Sequence, residues 1–131
     1  MPGPASRINL RIEIGAVVRL GPGKVRLLEL IAEFGSISAA GRAMAMSYRR
    51  AWLLIDTLNR AFRQPVVATQ PGGRADRRAA ITPFGQELIS RYRRMENAAR
   101  DAMAEDLVAL EGDLREDAAL PMMPDPRLHA G

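Results

Sequence analysis

The stretch Gly35-Ser36-Ile37-Ser38-Ala39-Ala40-Gly41-Arg42-Ala43-Met44-Ala45-Met46-Ser47-Tyr48-Arg49-Arg50-Ala51-Trp52 decides the fold. Gly35 stands where a helix commonly ends in a left-handed residue. Ser36 or Ser38 then caps a short helix over about 38–44. Ala39 to Ala43 are small enough to let another helix come very close. Ala45-Met46 makes a tight turn, and Ser47 caps a further helix over about 48–62. A short alanine-rich helix and a second one, joined by a turn of about three or four residues, form the helix-turn-helix pattern.

The second of these helices is two-faced. At about 100° per residue, Tyr48, Ala51, Ile55, Leu58 and Phe62 gather beside Trp52. Trp52, Ile55 and Leu58 are therefore expected in the core. The other face carries Arg49, Arg50, Arg60 and Arg63. The first turn has arginine where the helix dipole prefers acid, an arrangement that a bound phosphate would compensate.

Upstream, Lys24 to Phe34 has an apolar stripe, Val25, Leu28, Ile31 and Ala32, widened by Leu27, Leu30 and Phe34, and predicts a helix over about 24–34. Before it, Ile8 to Ile14 alternates strictly between apolar and polar residues. With Val17-Val18 beyond Gly15, this predicts a strand over 8–20, bent or bulged at the glycine. It is expected to join the sheet of the later hairpin or to pair across a dimer, because an exposed apolar edge invites aggregation. Residues 1–7 read as a flexible arm.

Downstream, Val66 to Thr69 and Ala79 to Ile81 predict two strands around Gln70-Pro71-Gly72-Gly73-Arg74-Ala75-Asp76-Arg77-Arg78. After a helix-turn-helix, a hairpin with a glycine- and arginine-rich tip is a wing. Thr82-Pro83 then opens a helix. Phe84, Leu88, Tyr92, Met95, Ala99, Met103, Leu107, Leu110 and Leu114 recur along it every three to four residues. This 82–114 helix is too long for so small a body, so Leu88, Tyr92, Met95, Ala99, Met103, Leu107 and Leu110 are expected to dimerise the chain. The remaining 115–131 read as an acidic, disordered tail. The predicted architecture is mainly α with a small β-sheet: a winged helix-turn-helix over 8–81, followed by a long dimerisation helix.

Composition narrows the function. The 131 residues are 47% hydrophobic and 26% charged, with no cysteine and one histidine. A disulfide framework, a thiolate metal site and a cysteine nucleophile are excluded, and a histidine triad or zinc cluster is not supported. No metal, cofactor or catalytic residue is expected, and the chain reads as no enzyme. It shows no apolar run of the ~20 residues needed to span a bilayer and no signal-peptide core, so a cytoplasmic protein without membrane attachment is expected.

The net charge of +4 conceals an asymmetry. Residues 1–100 carry 17 basic and 7 acidic side chains, a net +10; residues 101–131 carry 2 and 8, a net −6. Of the 19 basic residues all but Lys24 are arginine. Arginine codons are also favoured in a GC-rich genome, but segregation needs a separate cause, and a basic body suggests a polyanionic partner. Arginine's planar fork suits phosphate and guanine edges.

These residues resemble a known family. Leu27 to Trp52, with Gly-Ser-Ile-Ser opening the second helix and Met-Ser-Tyr-Arg-Arg-Ala-Trp opening the third, is similar to the N-terminal DNA-binding domain of ModE-type molybdate-responsive regulators. Leu58-Asn59, Gly72-Gly73 and Ile81-Thr82-Pro83-Phe84-Gly85-Gln86-Glu87-Leu88-Ile89 continue the likeness, which covers roughly 20–110. LysR-type regulators carry a weaker version. The resemblance implies a homodimeric winged-helix protein that binds double-stranded DNA at an inverted repeat. The family's C-terminal oxyanion-binding modules are not expected here. Ser47, Tyr48, Arg49 and Arg50 would lead into the major groove, with Arg49 or Arg50 reading guanine. Thr57 and Arg60 would touch phosphate, Ser36 and Ser38 the backbone, and Arg74, Arg77 and Arg78 the minor groove or phosphates. Two alternatives stay open: an effector such as molybdate or tungstate bound directly at the dimer interface, and a protein-interaction module without DNA binding.

Overall fold

The computed structural model describes residues 6–70 and 78–117. It is mainly α, with two small two-stranded sheets. The elements in chain order are β1 (Ile12–Ile14), β2 (Val18–Leu20), α1 (Pro22–Phe34), α2 (Ile37–Ala43), α3 (Tyr48–Ala61), β3 (Val67–Thr69), β4 (Ala79–Ile81) and α4 (Pro83–Gly112).

The predicted single strand over 8–20 is instead a hairpin. β1 and β2 pair antiparallel, Ile12 opposite Leu20 and Ile14 opposite Val18. Gly15 and Ala16 both have φ of 57°, and the Val17 N–H returns to the Ile14 carbonyl at 2.9 Å. Positive φ at both central residues matches the twist of a hairpin. The hairpin does not join β3 and β4; it buries Val18 and Leu20 in the core.

The helix boundaries follow from capping. Pro22 and Gly23 open α1, two residues earlier than expected, because proline fits the first helical turn. Gly35 ends α1 with φ of 69°, its N–H on the Ile31 carbonyl at 2.7 Å. The Ser36, Ser47 and Thr82 side chains accept the backbone N–H of Ala39, Arg50 and Gly85 at the starts of α2, α3 and α4. Between α2 and α3, Ala45 takes φ of 56° and the Met46 N–H bonds the Gly41 carbonyl at 2.9 Å.

The core is one cluster. Leu20, Val25, Leu27, Leu28, Ile31, Leu58, Val66 and Tyr92 are its largest fully buried members. α1 lies at the centre and packs on α2, α4 and β4. Leu88, Ile89 and Tyr92 complete the core from the first half of α4. Leu88 and Tyr92 are thus covered by the chain itself, and the stripe available to a partner starts at Met95. Tyr92 donates its hydroxyl to the Leu10 carbonyl at 2.7 Å, and burial pushes its pKa up.

Among the described residues, no helix is long and apolar enough to cross a membrane, and no group of histidine, aspartate and glutamate could hold a metal ion.

Candidate nucleic-acid interface

α3 is seated by its smallest residues. Ala51, Ile55 and Leu58 are its buried line. A Cβ built on Gly41 of α2 would stand 3.2 Å from the Ala51 Cβ, so the two helices cross as closely as side chains allow. This crossing fixes which face of α3 turns outward.

The outward face carries Arg49, Arg50 and Arg60, all exposed; Arg63, expected on the same face, lies beyond the end of α3, past Phe62, whose extended backbone breaks the helical spacing. Tyr48 and Ser47 are exposed at its leading end. Asp56 is the only acid on the helix, and it pairs with Arg60, Nε to Oδ2, at 2.9 Å. Among the described residues, no carboxylate pairs with Arg49, Arg50 or Arg63. The first turn of α3 has no acidic residue, so its N–H groups and the two leading arginines sum to one positive patch.

Four predicted contact residues have hydroxyls already engaged in hydrogen bonds. Ser36 and Ser47 accept backbone N–H groups at 3.1 Å, and Ser38 accepts from Arg42 Nη1 at 2.9 Å. A hydroxyl that accepts still has its own proton to donate, so all three serines can bond a phosphate oxygen. Thr57 differs. Its hydroxyl donates to the Leu53 carbonyl at 2.9 Å, so that proton is not available to phosphate in this rotamer.

Trp52 corrects an expectation. It is not core: it is 41% exposed. The buried line centres on Ala51 and Leu58, and Trp52 stands about a quarter-turn away from Ala51, at about 100° per residue. Leu53, which the periodicity did not single out, is 46% exposed in the middle of the arginine face.

The hairpin of β3 and β4 is held to α3 by Asn59. Its Oδ1 accepts the N–H groups of Val66 and Val67 at 2.7 and 3.2 Å, and its Nδ2 donates to the Val67 carbonyl at 3.1 Å. The Ala79 N–H bonds the Gly35 carbonyl at 2.9 Å, tying the return strand to the end of α1. Arg78 is exposed at the mouth of this hairpin, beside the bond from Gln70 N–H to its carbonyl. Arg74 and Arg77 lie outside the described residues.

A second cluster was not anticipated. Arg93 of α4 donates to both carboxylate oxygens of Glu29 on α1, at 2.8 and 3.2 Å, and to Glu96 at 2.8 Å. The Arg93 bond holds the Glu29 carboxyl below its usual range, against the opposing effect of burial. Past this clamp, Ala99 and Leu107 are half-buried, and Met95, Met103 and Leu110 are exposed.

No family model matches the chain. Over 94 residues it is 39% identical to the molybdenum-pterin-binding protein MopA of Rhodobacter capsulatus, covering 72% of this chain and 36% of that protein. Over 110 residues it is 33% identical to the molybdenum transport protein ModE of Azotobacter vinelandii, covering 82% and 40%. Over 104 residues it is 29% identical to the DNA-binding transcriptional dual regulator ModE of Escherichia coli K12, covering 77% and 40%. The chain spans about two fifths of the length of the curated relatives it matches. These likenesses support the ModE-type family, and none of the three relatives is named as an enzyme.

Proposed function

We propose that this chain is the DNA-reading part of a ModE-type transcriptional regulator: a winged helix-turn-helix that works as a homodimer on an inverted repeat. One observation carries the reading. α3 seals one face against α2 through Ala51 and Gly41, and it turns three arginines and a single, already paired, acid to solvent. A helix of this kind, with arginines and no acid in its first turn, suits the major groove. The name of the Escherichia coli relative, a DNA-binding regulator, is consistent with it.

In this reading α3 enters the major groove with Ser47, Tyr48, Arg49 and Arg50 leading. Arg49 or Arg50 takes a guanine bidentately. Ser36 and Ser38 donate to phosphate, and Arg78, with Arg74 and Arg77, grips the flanking backbone or minor groove. Arg60 is partly neutralised by Asp56 and contributes less than its exposure suggests. Met95, Ala99, Met103, Leu107 and Leu110 join two copies along the second half of α4. Such a twofold pair requires a twofold operator.

Mobility-shift titration against DNA selected from a random pool tests this. Binding should weaken steeply with salt as phosphate-bound counterions are released. Arg50→Ala should cost about 1–3 kcal/mol and relax one operator position if it reads a base. The absence of any retarded complex at low salt would falsify the reading.

A second reading draws on the molybdenum-pterin in the name of MopA: the chain itself binds a molybdenum oxyanion. Calorimetric titration with molybdate in the absence of DNA separates the two.

A further inference from the structure

Three large apolar side chains lie exposed on the leading half of α3: Tyr48 at 46%, Trp52 at 41% and Leu53 at 46%. Tyr48 and Trp52 are four residues apart and so are neighbours on the helix surface. Leu53 follows Trp52 and has Arg49 one turn before it and Thr57 one turn after. Single exposed apolar residues need no explanation, but three within six positions, interleaved with arginines, do.

The flanking charge narrows what Leu53 can meet. Arg49 and Arg50 call for an anionic body, and Asp56 on the same face is already neutralised by Arg60 at 2.9 Å. The partner must therefore be a polyanion with an apolar spot between charged groups. Thr57 adds to this: its hydroxyl proton is committed to the Leu53 carbonyl, so it adds no donor beside the leucine. In the major groove of duplex DNA every base edge offers donors or acceptors, and only thymine adds an apolar group, its C5-methyl.

Resting on the DNA-binding reading above, we infer that Leu53, flanked one turn before it by Arg49 and Arg50, is a specificity-determining contact to thymine C5-methyl groups, placed beside the base read by Arg49 or Arg50. The operator half-site should then carry thymine next to its guanine.

Deoxyuridine is the test, because it removes the methyl and leaves base pairing and phosphates unchanged. Each thymine of the selected operator is replaced in turn. Wild-type affinity should fall about 4-fold at one or two positions per half-site, the value of one buried CH2-sized group. Leu53→Ala should lose a similar factor on the thymine operator and show no further loss with uracil. Arg50→Ala should still distinguish thymine from uracil. Leu53 is exposed, so its truncation should leave the fold intact, and unchanged circular dichroism checks this. Tight wild-type binding that is indifferent to uracil at every position overturns the inference and leaves DNA binding standing. A Leu53→Ala protein that still discriminates also overturns it. No binding to any DNA overturns the reading beneath it.

Discussion

Gly85→Ala should damage the protein more than any other single methyl addition at the described glycines. A Cβ on Gly85 would stand 2.2 Å from the Val66 carbonyl oxygen, 2.9 Å from Ile81 Cγ2 and 3.1 Å from the Val66 carbonyl carbon. An ordinary carbon–oxygen contact begins at about 3.3 Å, so roughly 1 Å must be opened. Two of the three neighbours are backbone, and no rotamer change relieves them. Moving the Val66 carbonyl also disturbs the bond it accepts from the Thr82 N–H at 3.0 Å. It further disturbs the Thr82 cap on the Gly85 N–H at 2.9 Å. Overpacking costs about 1–3 kcal/mol and each weakened hydrogen bond about 0.5–1.5 kcal/mol. Alanine gains up to about 1 kcal/mol over glycine in a helix. The net loss should be about 2–4 kcal/mol. Urea denaturation followed by far-UV circular dichroism reads it as a lowered midpoint with an unchanged slope. Gly23→Ala is the control: a Cβ there meets nothing within 4 Å, and it should be neutral or stabilise by up to about 1 kcal/mol. A Gly85→Ala midpoint at or above wild type would refute the reasoning, since it would mean that the β3–α4 joint is loose.

Trp52 is the only tryptophan, so its emission reports the edge of α3 alone. Titration with operator DNA should quench or blue-shift it, and an unchanged spectrum at saturation would place that edge outside the complex. Ala45→Gly should stabilise by up to about 1 kcal/mol, since φ of 56° strains alanine by about 1–2 kcal/mol and glycine returns part of that as unfolded-state entropy; thermal melting checks it. Glu29 is held below its usual 4.5 by Arg93, so at acid pH the folded chain binds fewer protons than the unfolded one. Its contribution should be complete above about 4.5 and disappear as pH falls through the lower folded value. Glu29→Gln should lose about 1 kcal/mol at neutral pH and show a shallower acid-side decline, measured by urea denaturation from pH 7 to pH 2.

The elements were legible wherever one residue does one local job. Ser36, Ser47 and Thr82 cap the helices they were expected to cap or precede, and Gly35 ends α1 in the left-handed conformation. Local rules fail where the deciding contact is distant. Periodicity put Trp52 in the core because the apolar stripe gathers beside it, yet the buried line is set by the smallest pair, Gly41 and Ala51. Alternation up to Ile14 and the apolar Val17-Val18 beyond Gly15 suggested one strand bent or bulged at the glycine, because nothing local marks Ala16 as a second residue of positive φ. Asn59 entered the sequence reading only through the family resemblance, and its amide joins α3 to β3 across a chain reversal, a contact that spacing does not show.

The stripe of α4 shows why spacing alone could not divide its residues between core and partner. Leu88, Tyr92, Met95, Ala99 and Met103 keep one period, but only the first two are sealed by the chain's own body. The change comes at Arg93, which grips Glu29 on α1 and Glu96 one turn on, where α4 leaves the body. A helix clamped there leaves in a fixed direction. In the proposed dimer that direction sets the distance between the two copies of α3, because α1 carries both the clamp and, through α2, the seat of α3. Operator half-site spacing would then depend on an ion pair that touches no DNA. Glu29→Gln should accordingly broaden the spacings recovered from a random pool while leaving each half-site sequence unchanged. Recovery of the same single spacing by both proteins would show that the body, and not the clamp, aims α4.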